Sequence, residues 1–416
     1  MMSDRIFPTI DRATACHVVA ASFLGWMLDA CDFFIVLFTL DNVANSYHAS
    51  IGAILWAPTL TLLTRPIGAF LCGRGADRYG RKPVMIATIT IYSLIEVASS
   101  FAPSLTVFLL LRALFGIALG GQWGVGTSLI MESVPAAWRG WSSGLLQAGY
   151  PAGYLLASLM YLLLPVVGWR GLYIMGSAAI FVAIYIWIRI PESPEWRGRL
   201  ARGATHADGP GLLAVIRGNM SLWLFAVALM TAFTFFSHGS QDLYPKLFLR
   251  LQRGLTPSTV TLIVVLYNVS AILGGLVFGA LSQRIGRQFA IAIGAFAVLP
   301  LLPLWTLPHS PFWLALGAIG VQFCVQGAWG VVPAYLSELS PASVRATFPG
   351  LAYQCGNLIA ASNALLQNRI SEMFGGNLAP ALIAVVGAAA VVLLTLTLLN
   401  AFLHPTIVPR PSKTRA

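Results

Sequence analysis

The chain has 416 residues, of which 57% are hydrophobic and only 9% are charged, and its formal net charge is +11. Soluble globular domains contain about a quarter charged residues, so the composition excludes that class and indicates a polytopic membrane protein. At about 20 residues for each membrane-spanning helix, the length accommodates roughly twelve helices. The positive charge is then expected on cytoplasmic loops and does not indicate a nucleic-acid partner.

Twelve apolar segments follow one another along the chain and predict an all-α membrane protein. The stretch from Pro191 to Arg217 interrupts them, because it is rich in Arg, Gly and Pro and lacks apolar periodicity. We predict one six-helix bundle over residues 1–190, a cytoplasmic linker over 191–218, a second bundle over 219–404 and a disordered cytoplasmic tail over 405–416. The predicted helices cover residues 14–40, 51–73, 84–101, 105–131, 143–164, 171–189, 220–244, 257–281, 289–307, 311–336, 347–371 and 378–403.

The distribution of basic residues predicts the orientation in the membrane. With both termini and the linker on one side, 18 of the 25 Lys and Arg residues lie on that side. Cytoplasmic loops carry such an excess, so both termini are predicted to be cytoplasmic, in a cell inner (plasma) membrane. No cleavable signal precedes the first apolar segment. The five cysteines lie in or beside apolar segments without framework spacing, which predicts no disulfides.

A single offset of 206 residues relates ten positions of the first half to ten of the second. Nine keep their residue type, and only Asp77 changes, to Gln283. This pattern indicates a duplication, and a repeat of two six-helix units places a substrate site between them near the middle of the membrane. The related pairs are Gly73/Gly279, Asp77/Gln283, Arg78/Arg284, Gly80/Gly286, Arg81/Arg287, Trp123/Trp329, Glu132/Glu338, Pro135/Pro341, Arg139/Arg345 and Gly144/Gly350.

The charged loop residues of this repeat are predicted to be parts of a conformational switch rather than substrate contacts. Asp77 is expected to cap the next helix and to pair across the two halves. Glu132 is expected to pair with Arg139, and Glu338 with Arg345, as latches that form in one state and break in another. The candidate switch residues are Asp77, Arg78, Arg81, Glu132, Arg139, Arg284, Arg287, Glu338 and Arg345.

The stretch from Ser237 to Asp242 places ionisable side chains inside an apolar segment. His238 and Asp242 are four residues apart on one helical face, and Ser237 and Gln241 have the same spacing on the adjoining face. Each ionisable side chain in the bilayer core costs about 2.5–3.5 kcal/mol. The pair indicates either a proton or substrate site, which we favour, or a hydrogen-bonded pair that locks two helices together. His238 and Gln241 are candidate substrate contacts, and His238 and Asp242 are candidate proton carriers.

A second acidic pair, Asp29 and Asp32, lies in the middle of the first predicted helix. Two carboxylates so close together do not both ionise readily, so one of them is expected to gain and lose a proton near neutral pH. The alternative is that one acid caps a helix or pairs with Arg65. Because the offset of 206 brings Asp32 onto His238, both halves are expected to direct titratable groups into one central cavity. Asp32 is the favoured coupling site for the proton.

Two arginines lie inside predicted helices. Arg65 offers a two-donor fork for a substrate carboxylate, or it forms a fixed salt bridge to Asp29 or Asp32. Arg112 lies at a similar depth to Glu96, and the two are expected to form a structural pair or a pair on a proton path.

Three amides complete the candidate binding residues. Gln354 and Asn357 are three residues apart on one face of the eleventh predicted helix, and Gln147 lies in the fifth. These side chains are expected to hydrogen-bond a small polar ligand. The alternative is hydrogen bonding between helices.

Three motifs resemble those of the major facilitator superfamily. The resemblance covers nearly the whole chain and implies the major facilitator fold, with twelve transmembrane helices in two six-helix bundles. The motifs are Gly73-x-x-x-Asp77-Arg78-x-Gly80-Arg81-Lys82, Arg112-x-x-x-Gly116-x-x-x-Gly120-Gly121 and Pro191-Glu192-Ser193-Pro194-Glu195-Trp196.

Further motifs resemble the sialate/lactate:proton symporter family within that superfamily. The Ser-His-x-x-Gln-Asp element is most similar to its lactate/pyruvate permease branch. The resemblance implies that the His, the Asp, the helix-eleven amides and the helix-two Arg act in binding or coupling. The matching motifs are Asp29-x-x-Asp32, Arg65-Pro66-Ile67-Gly68, Ser237-His238-Gly239-Ser240-Gln241-Asp242 and Gln354-x-x-Asn357.

The sequence therefore predicts a monomeric, proton-coupled symporter of a small monocarboxylate such as lactate or pyruvate, with Arg65 taking the carboxylate and Asp32 or His238 the proton. One alternative is a symporter of a larger organic acid, sialate or an aromatic acid. Another is a membrane sensor on a transporter scaffold, although the short termini do not hold an added signalling domain. No enzyme, catalytic residue, cofactor or metal site is expected, because the ionisable residues lie on separate helices without a metal or nucleotide motif.

Overall fold

The computed structural model describes residues 11–201 and 212–403, and within these ranges the protein is helical and contains no β-strand. The predicted all-α class is therefore confirmed. The predicted tail over 405–416 and the middle of the predicted linker, residues 202–211, lie outside the described residues. On either side of that gap the chain forms two short helices, Pro194–Ala201 and Leu212–Gly218.

Twelve helical segments overlap the twelve predicted ones. In chain order they are α1 (Arg12–Phe38), α2 (Ile51–Tyr79), α3 (Arg81–Ser100), α4 (Leu105–Ser133), α5 (Arg139–Tyr161), α6 (Leu164–Arg189), α7 (Met220–Gln252), α8 (Pro257–Ile285), α9 (Arg287–Val298 and Leu301–Thr306), α10 (Pro311–Leu339), α11 (Thr347–Ala360 and Asn363–Met373) and α12 (Leu378–Leu403).

Nine of these segments are long and apolar enough to cross a membrane, counted over the described parts of the chain. The other three are α5, which is rich in Gly and Ser, and α9 and α11, which are interrupted. The interruption in α9 falls at Pro300, since proline supplies no backbone N–H to a helix interior. In α11 a turn at Ala361 and Ser362 separates the two parts. The architecture is consistent with twelve membrane crossings.

Large apolar side chains cover the outer faces of the helices. Val166 is 84% exposed, Phe181 69% and Phe402 79%. Apolar surface of this extent is unfavourable in water and favourable against lipid. The protein is therefore embedded in a membrane.

The repeated loops turn in the same way. Gly80 follows α2 with φ of 109°, and Gly286 follows α8 with φ of 94°. Glycine adopts this left-handed region without steric cost. The offset of 206 residues thus relates two equivalent backbone turns as well as two similar sequences.

The two six-helix bundles pack closely on the side of the membrane that holds the linker. A Cβ added to Gly144 of α5 would lie 2.2 Å from the carbonyl oxygen of Gly275 in α8. A Cβ added to Gly73 of α2 would lie 2.6 Å from Cα of Thr347, where α11 begins. Only glycine allows backbones to approach this closely. The structure is therefore closed on the linker side.

Candidate functional site

A cavity of about 250 Å³ lies between the two bundles, lined by residues of α1, α2, α5, α7 and α11. From α2 it takes residues 59–65, in the half of the helix away from the linker, and from α11 it takes residues 353–364. The cavity therefore lies on the side opposite the closed linker side. Five of the sequence-predicted site residues line it: Asp29, Arg65, His238, Asp242 and Asn357.

Arg65 lines the cavity without a fixed ion pair. Its side chain is 8% exposed, and its guanidinium carbon lies 5.1 Å from the centre of the Phe33 ring, a cation–π distance. Within the described residues no carboxylate lies within 4.0 Å of it, so the alternative of a salt bridge to Asp29 or Asp32 is not formed here. The Nε atom also has no hydrogen-bond partner among the described residues. A buried guanidinium in this state can receive an anionic ligand.

The polar stretch in α7 has two faces that make different contacts. His238 Nδ1 lies 3.1 Å from Asp242 Oδ1, and the two side chains are 34% and 41% exposed towards the cavity. On the adjoining face, Gln241 donates a 2.7 Å hydrogen bond to Ser237, and Gln326 of α10 donates to the same hydroxyl at 3.0 Å. The expected spacing is thus observed for both pairs. The first pair faces the cavity. In the second pair the candidate substrate contact Gln241 bonds within α7, and Ser237 also joins α7 to α10.

The three predicted amide contacts also fall into two groups, one that lines the cavity and one that bonds other side chains. Asn357 lines the cavity and accepts a 2.9 Å hydrogen bond from Thr234 of α7. Its amide nitrogen donates to Gln354 at 3.1 Å, and Gln354 itself is buried outside the lining. Gln147 accepts a 3.2 Å hydrogen bond from the Trp123 indole. Gln354 and Gln147 therefore support the surrounding helices in this conformation and do not face the cavity.

Asp29 and Asp32 point into different environments. Asp29 lines the cavity, whereas the Asp32 carboxylate is enclosed against α6, where a Cβ added to Gly176 would lie 2.3 Å from Oδ1. Nearby, Arg112 donates a 2.7 Å hydrogen bond to Glu96, so the expected pair is formed. All four carboxylate oxygens of Asp29 and Asp32 are buried and lack hydrogen-bond partners in the described portion of the chain. The expectation that Asp32 reaches the central cavity does not hold in this conformation.

Several lining residues were not predicted from the sequence. The rings of Trp26, Phe33, Tyr150 and Tyr353 form aromatic walls, and Asn363 of α11 adds a buried amide. Trp26 and Phe33 lie three residues before and four after Asp29, so the helical period of the Asp29 face identifies them. No comparable signal exists for Asn363, because the turn at 361–362 breaks the period of α11.

The predicted latches on the linker side form with different partners. Arg81 contacts Glu132 at 2.7 Å and Asp77 at 3.3 Å, and Arg287 contacts Glu338 at 2.9 Å. The expected pairs Glu132 with Arg139 and Glu338 with Arg345 are therefore not formed in this conformation. Arg81 and Arg287 begin the helices after the glycine turns and so reach the glutamates that end α4 and α10.

Arg139 and Arg345 instead converge on the linker. Each directly follows a short 3₁₀ turn, Ala136–Trp138 or Ala342–Val344. Arg139 lies 3.8 Å from Glu195, and Arg345 forms an ion pair with the same carboxylate. Glu195 thus joins two arginines that the offset of 206 residues relates.

Asp77 caps a helix of the opposite bundle rather than the next helix. It accepts hydrogen bonds from the backbone N–H groups of Ala346 and Thr347, at 3.0 and 3.1 Å, at the start of α11. Its repeat partner Gln283 accepts from Gly140 N–H at 3.0 Å at the start of α5. The expected pairing across the halves is therefore observed, and the expected cap on the next helix is wrong.

The remaining two switch candidates make no comparable contacts. Arg78 and Arg284 are both exposed, and Arg78 lies over the Tyr79 ring at 5.2 Å. Neither forms an ion pair within the described residues. They precede the glycine turns and point outwards.

Comparison with known protein families matches the Major Facilitator Superfamily over residues 22–245 and again over residues 243–416. The chain is 28% identical over 379 residues to a carboxylic acid transporter protein homolog of Saccharomyces cerevisiae, with 85% of this chain and 61% of that protein covered. It thus spans less than two thirds of the yeast relative. It is 29% identical to the niacin transporter NiaP of Acinetobacter baylyi, covering 80% and 82%, and 25% identical to the sialic acid transporter NanX of Escherichia coli, covering 90% and 92%.

Solved structures show the same fold. The proton:xylose symporter XylE bound to 6-bromo-6-deoxy-D-glucose superposes with a TM-score of 0.71 at 17% identity, covering 96% of this chain and 97% of that chain. The human organic anion transporter MFSD10 gives 0.65 at 17% identity, covering 94% and 99%. The major facilitator fold predicted from the sequence is confirmed. The family and these relatives are transporters, not enzymes.

Proposed function

Because this chain belongs to the Major Facilitator Superfamily, we propose that it is a proton-coupled symporter that carries an organic carboxylate anion by alternating access. The observation that carries the proposal is Arg65, a buried guanidinium that lines the central cavity and has no carboxylate within 4.0 Å among the described residues. Arg matches the geometry of a carboxylate with two parallel donors. A carboxylate is also the group shared by the substrates named for several relatives.

The charges around the cavity support proton coupling. Arg65 supplies one positive charge, while ionised Asp29 and Asp242 supply two negative charges. A carboxylate substrate adds a third, and each unbalanced charge in the bilayer core costs about 2.5–3.5 kcal/mol. Protons on Asp29, or on the His238–Asp242 pair, bring the loaded site towards neutrality. Proton and substrate therefore bind with positive linkage.

The enclosed acids give a second location for the proton. Asp32 and Glu96 face one guanidinium, Arg112, so one negative charge remains when both acids ionise. An uncompensated charge in a fully buried site is strongly unfavourable. We retain Asp32 as the coupling proton site, with its proton reaching the cavity through Asp29, one turn away.

The candidate substrates differ in the size of the acid. The Ser-His-x-x-Gln-Asp element favours a small acid of the lactate or pyruvate type. The relatives named for niacin, muconate and sialic acid favour a larger acid. Both use the same contact with Arg65, so the class of organic carboxylate holds for either.

The membrane orientation follows from the basic residues. An inner-membrane location with both termini cytoplasmic places the closed linker side in the cytoplasm and the cavity towards the outside. The cavity is formed within one chain, which supports a monomer. The contacts of Asp77 and Glu195 with the second bundle then close the cytoplasmic side, and they break when the bundles over 1–190 and 219–404 rock to the opposite state.

Uptake into proteoliposomes tests the proposal. The purified protein is reconstituted and given labelled monocarboxylates of increasing size, with the outside acidic and the inside near neutral. We expect accumulation above the outside concentration that a protonophore abolishes, and none in protein-free liposomes. Uptake of no carboxylate contradicts the substrate class. Uptake that ignores the protonophore contradicts the coupling.

A further inference from the structure

We propose that the cavity selects a carboxylate with a flat, unsaturated or aromatic body and a second hydrogen-bonding group, which Asn363 recognises. The inference rests on the proposed function and narrows the substrate class of the same site.

Aromatic walls surround the position next to Arg65. Trp26 and Tyr150 are stacked, with ring centroids 6.1 Å apart and planes 29° apart. Phe33 lies beneath the guanidinium, and Tyr353 contributes a wall from the opposite bundle. Flat π systems stack on such surfaces and gain contact that a saturated body of similar size does not. A carboxylate held by Arg65 therefore extends its body between aromatic rings.

The dimensions fit a single ring. The cavity measures about 250 Å³. This value lies just below the range of about 300–1,000 Å³ for pockets that enclose drug-sized ligands, which favours a small ligand. We expect an aromatic acid with one ring to contact the aromatic side chains of both bundles. A three-carbon acid held by Arg65 is too short to do so.

Asn363 supplies the second point of recognition. It lines the cavity, is 2% exposed, and neither its amide oxygen nor its amide nitrogen has a hydrogen-bond partner within the described residues. Buried polar side chains almost always have such a partner. By contrast, the neighbouring Asn357 already bonds Thr234 and Gln354. Asn363 thus offers one donor and one acceptor to a ligand.

Arg65 and Asn363 belong to opposite bundles. Arg65 lies in α2, and Asn363 begins the second part of α11, directly after its turn. A ligand with a carboxylate at one end and a hydroxyl or ring nitrogen at the other contacts both. Hydroxylated or nitrogen-containing aromatic monocarboxylates have this chemistry.

Competition binding with matched acids tests the inference. Purified protein is titrated with benzoate, cyclohexanecarboxylate, 3- and 4-hydroxybenzoate, and lactate. We expect one hydroxybenzoate to bind about tenfold more tightly than benzoate, the gain of one hydrogen bond to a buried partner. Benzoate is expected to bind more tightly than cyclohexanecarboxylate, and lactate most weakly.

Two variants test the contribution of the Asn363 side-chain amide to binding. Asn363→Ala and Asn363→Leu, of which Leu keeps a similar volume, should remove the tenfold preference for the hydroxyl and leave benzoate affinity within about twofold. Asn368→Ala is the matched control, because this exposed amide on the same helix bonds only Glu372 in the described structure. It should bind all five acids as the unchanged protein does.

The outcomes separate the inference from the proposed function. If lactate or cyclohexanecarboxylate binds as tightly as benzoate, the inferred preference for an aromatic body is overturned. Equal losses for benzoate and hydroxybenzoate in both Asn363 variants overturn the second contact. Failure of all five acids to bind, while the uptake panel identifies another transported carboxylate, overturns the inference and leaves the proposed function standing. Failure of every carboxylate in both experiments overturns the proposed function itself.

Discussion

Asp29 lines the cavity, whereas Asp32, three residues later, is enclosed near Glu96 and Arg112. The two carboxylates are three residues apart on α1 and diverge by about 60° around its axis, so that only Asp29 reaches the cavity. Substrate affinity and proton coupling are therefore separable by mutation. Asp32 should affect proton coupling alone, whereas Asp29, which lines the cavity, should affect substrate affinity as well.

Asp32→Asn mimics a permanently protonated acid. We expect it to lose uphill accumulation under a pH gradient, so that the inside-to-outside ratio falls to one, while exchange at equal concentrations continues. Asp29→Asn should change substrate affinity in addition. The measurement is labelled uptake and counterflow in proteoliposomes. Asp41→Asn, at an exposed acid in the short helix after α1, is the control. Continued accumulation by Asp32→Asn would move the coupling proton to His238 and Asp242.

His238 should have a broader effect than Asp32, because it faces the cavity and bonds Asp242 at the same time. His238→Ala is expected to lower both pH-driven accumulation and exchange, each by about tenfold or more, as loss of a charge-assisted hydrogen bond implies. Both are measured in the same vesicles. Normal exchange in this variant would show that His238 does not contact the substrate.

Ionisable residues in apolar helices were predictable from sequence, because their burial cost requires a reason. Arg65, Asp29, His238 and Asp242 all line the cavity. The aromatic walls carry no such signal, since aromatic side chains are equally at home against lipid. Asn363 was beyond prediction, because its position depends on an interruption of α11 with no strong local cause.

At the level of the helices, Ser143 makes a contact between bundles that stabilises the closed linker side. Its hydroxyl donates to the Gly330 carbonyl at 2.7 Å and accepts from Ala334 N–H at 3.0 Å. Those two backbone groups pair with each other in a regular helical turn. The hydroxyl of α5 is therefore inserted into α10 beside Pro333, where the helix is already weakened.

Ser143→Ala should shift the conformational equilibrium towards the state open on the linker side. Loss of the hydroxyl leaves polar groups of α10 unsatisfied in the closed state only, at about 1–2 kcal/mol. Such a change alters the ratio of states by about 5–30-fold. Spin-label distances across the linker-side ends of α5 and α8 report the ratio. Ser158→Ala, whose hydroxyl bonds its own helix, is the control. A ratio unchanged from the control would exclude this role for Ser143.

The helices themselves were largely predictable, because apolar segments of about 20 residues specify membrane crossings. The contacts of the switch residues were less predictable. Sequence spacing favoured pairs within one segment, such as Glu132 with Arg139. The fold instead brings Arg81, at the start of the preceding helix α3, to Glu132, and this contact depends on the glycine turn at Gly80.

At the level of the whole molecule, Glu195 links the two bundles through the linker. It contacts Arg139 and Arg345, which occupy equivalent positions in the two repeats. The Glu195 side chain is 33% exposed, so each contact contributes about 0.2–1 kcal/mol. Together they bias the whole molecule towards the closed linker side without preventing its opening.

Glu195→Gln should therefore accelerate opening of the linker side by a few-fold and leave substrate affinity unchanged. The opening rate is measured by single-molecule fluorescence with labels on the two bundles at that side. Glu372→Gln, an exposed acid in α11 near the opposite side, should have no effect. Slower opening, or a matching loss of affinity, would contradict a purely conformational role.

The central claim, that the cavity between the bundles binds a carboxylate through Arg65, is tested most directly by equilibrium binding. Purified wild-type protein, Arg65→Lys and Arg65→Ala are titrated with the acid that the uptake panel identifies. We predict about tenfold weaker binding for Lys, a point charge in place of a fork, and about 100-fold weaker binding for Ala. Unchanged affinity in folded Arg65→Ala would contradict the claim.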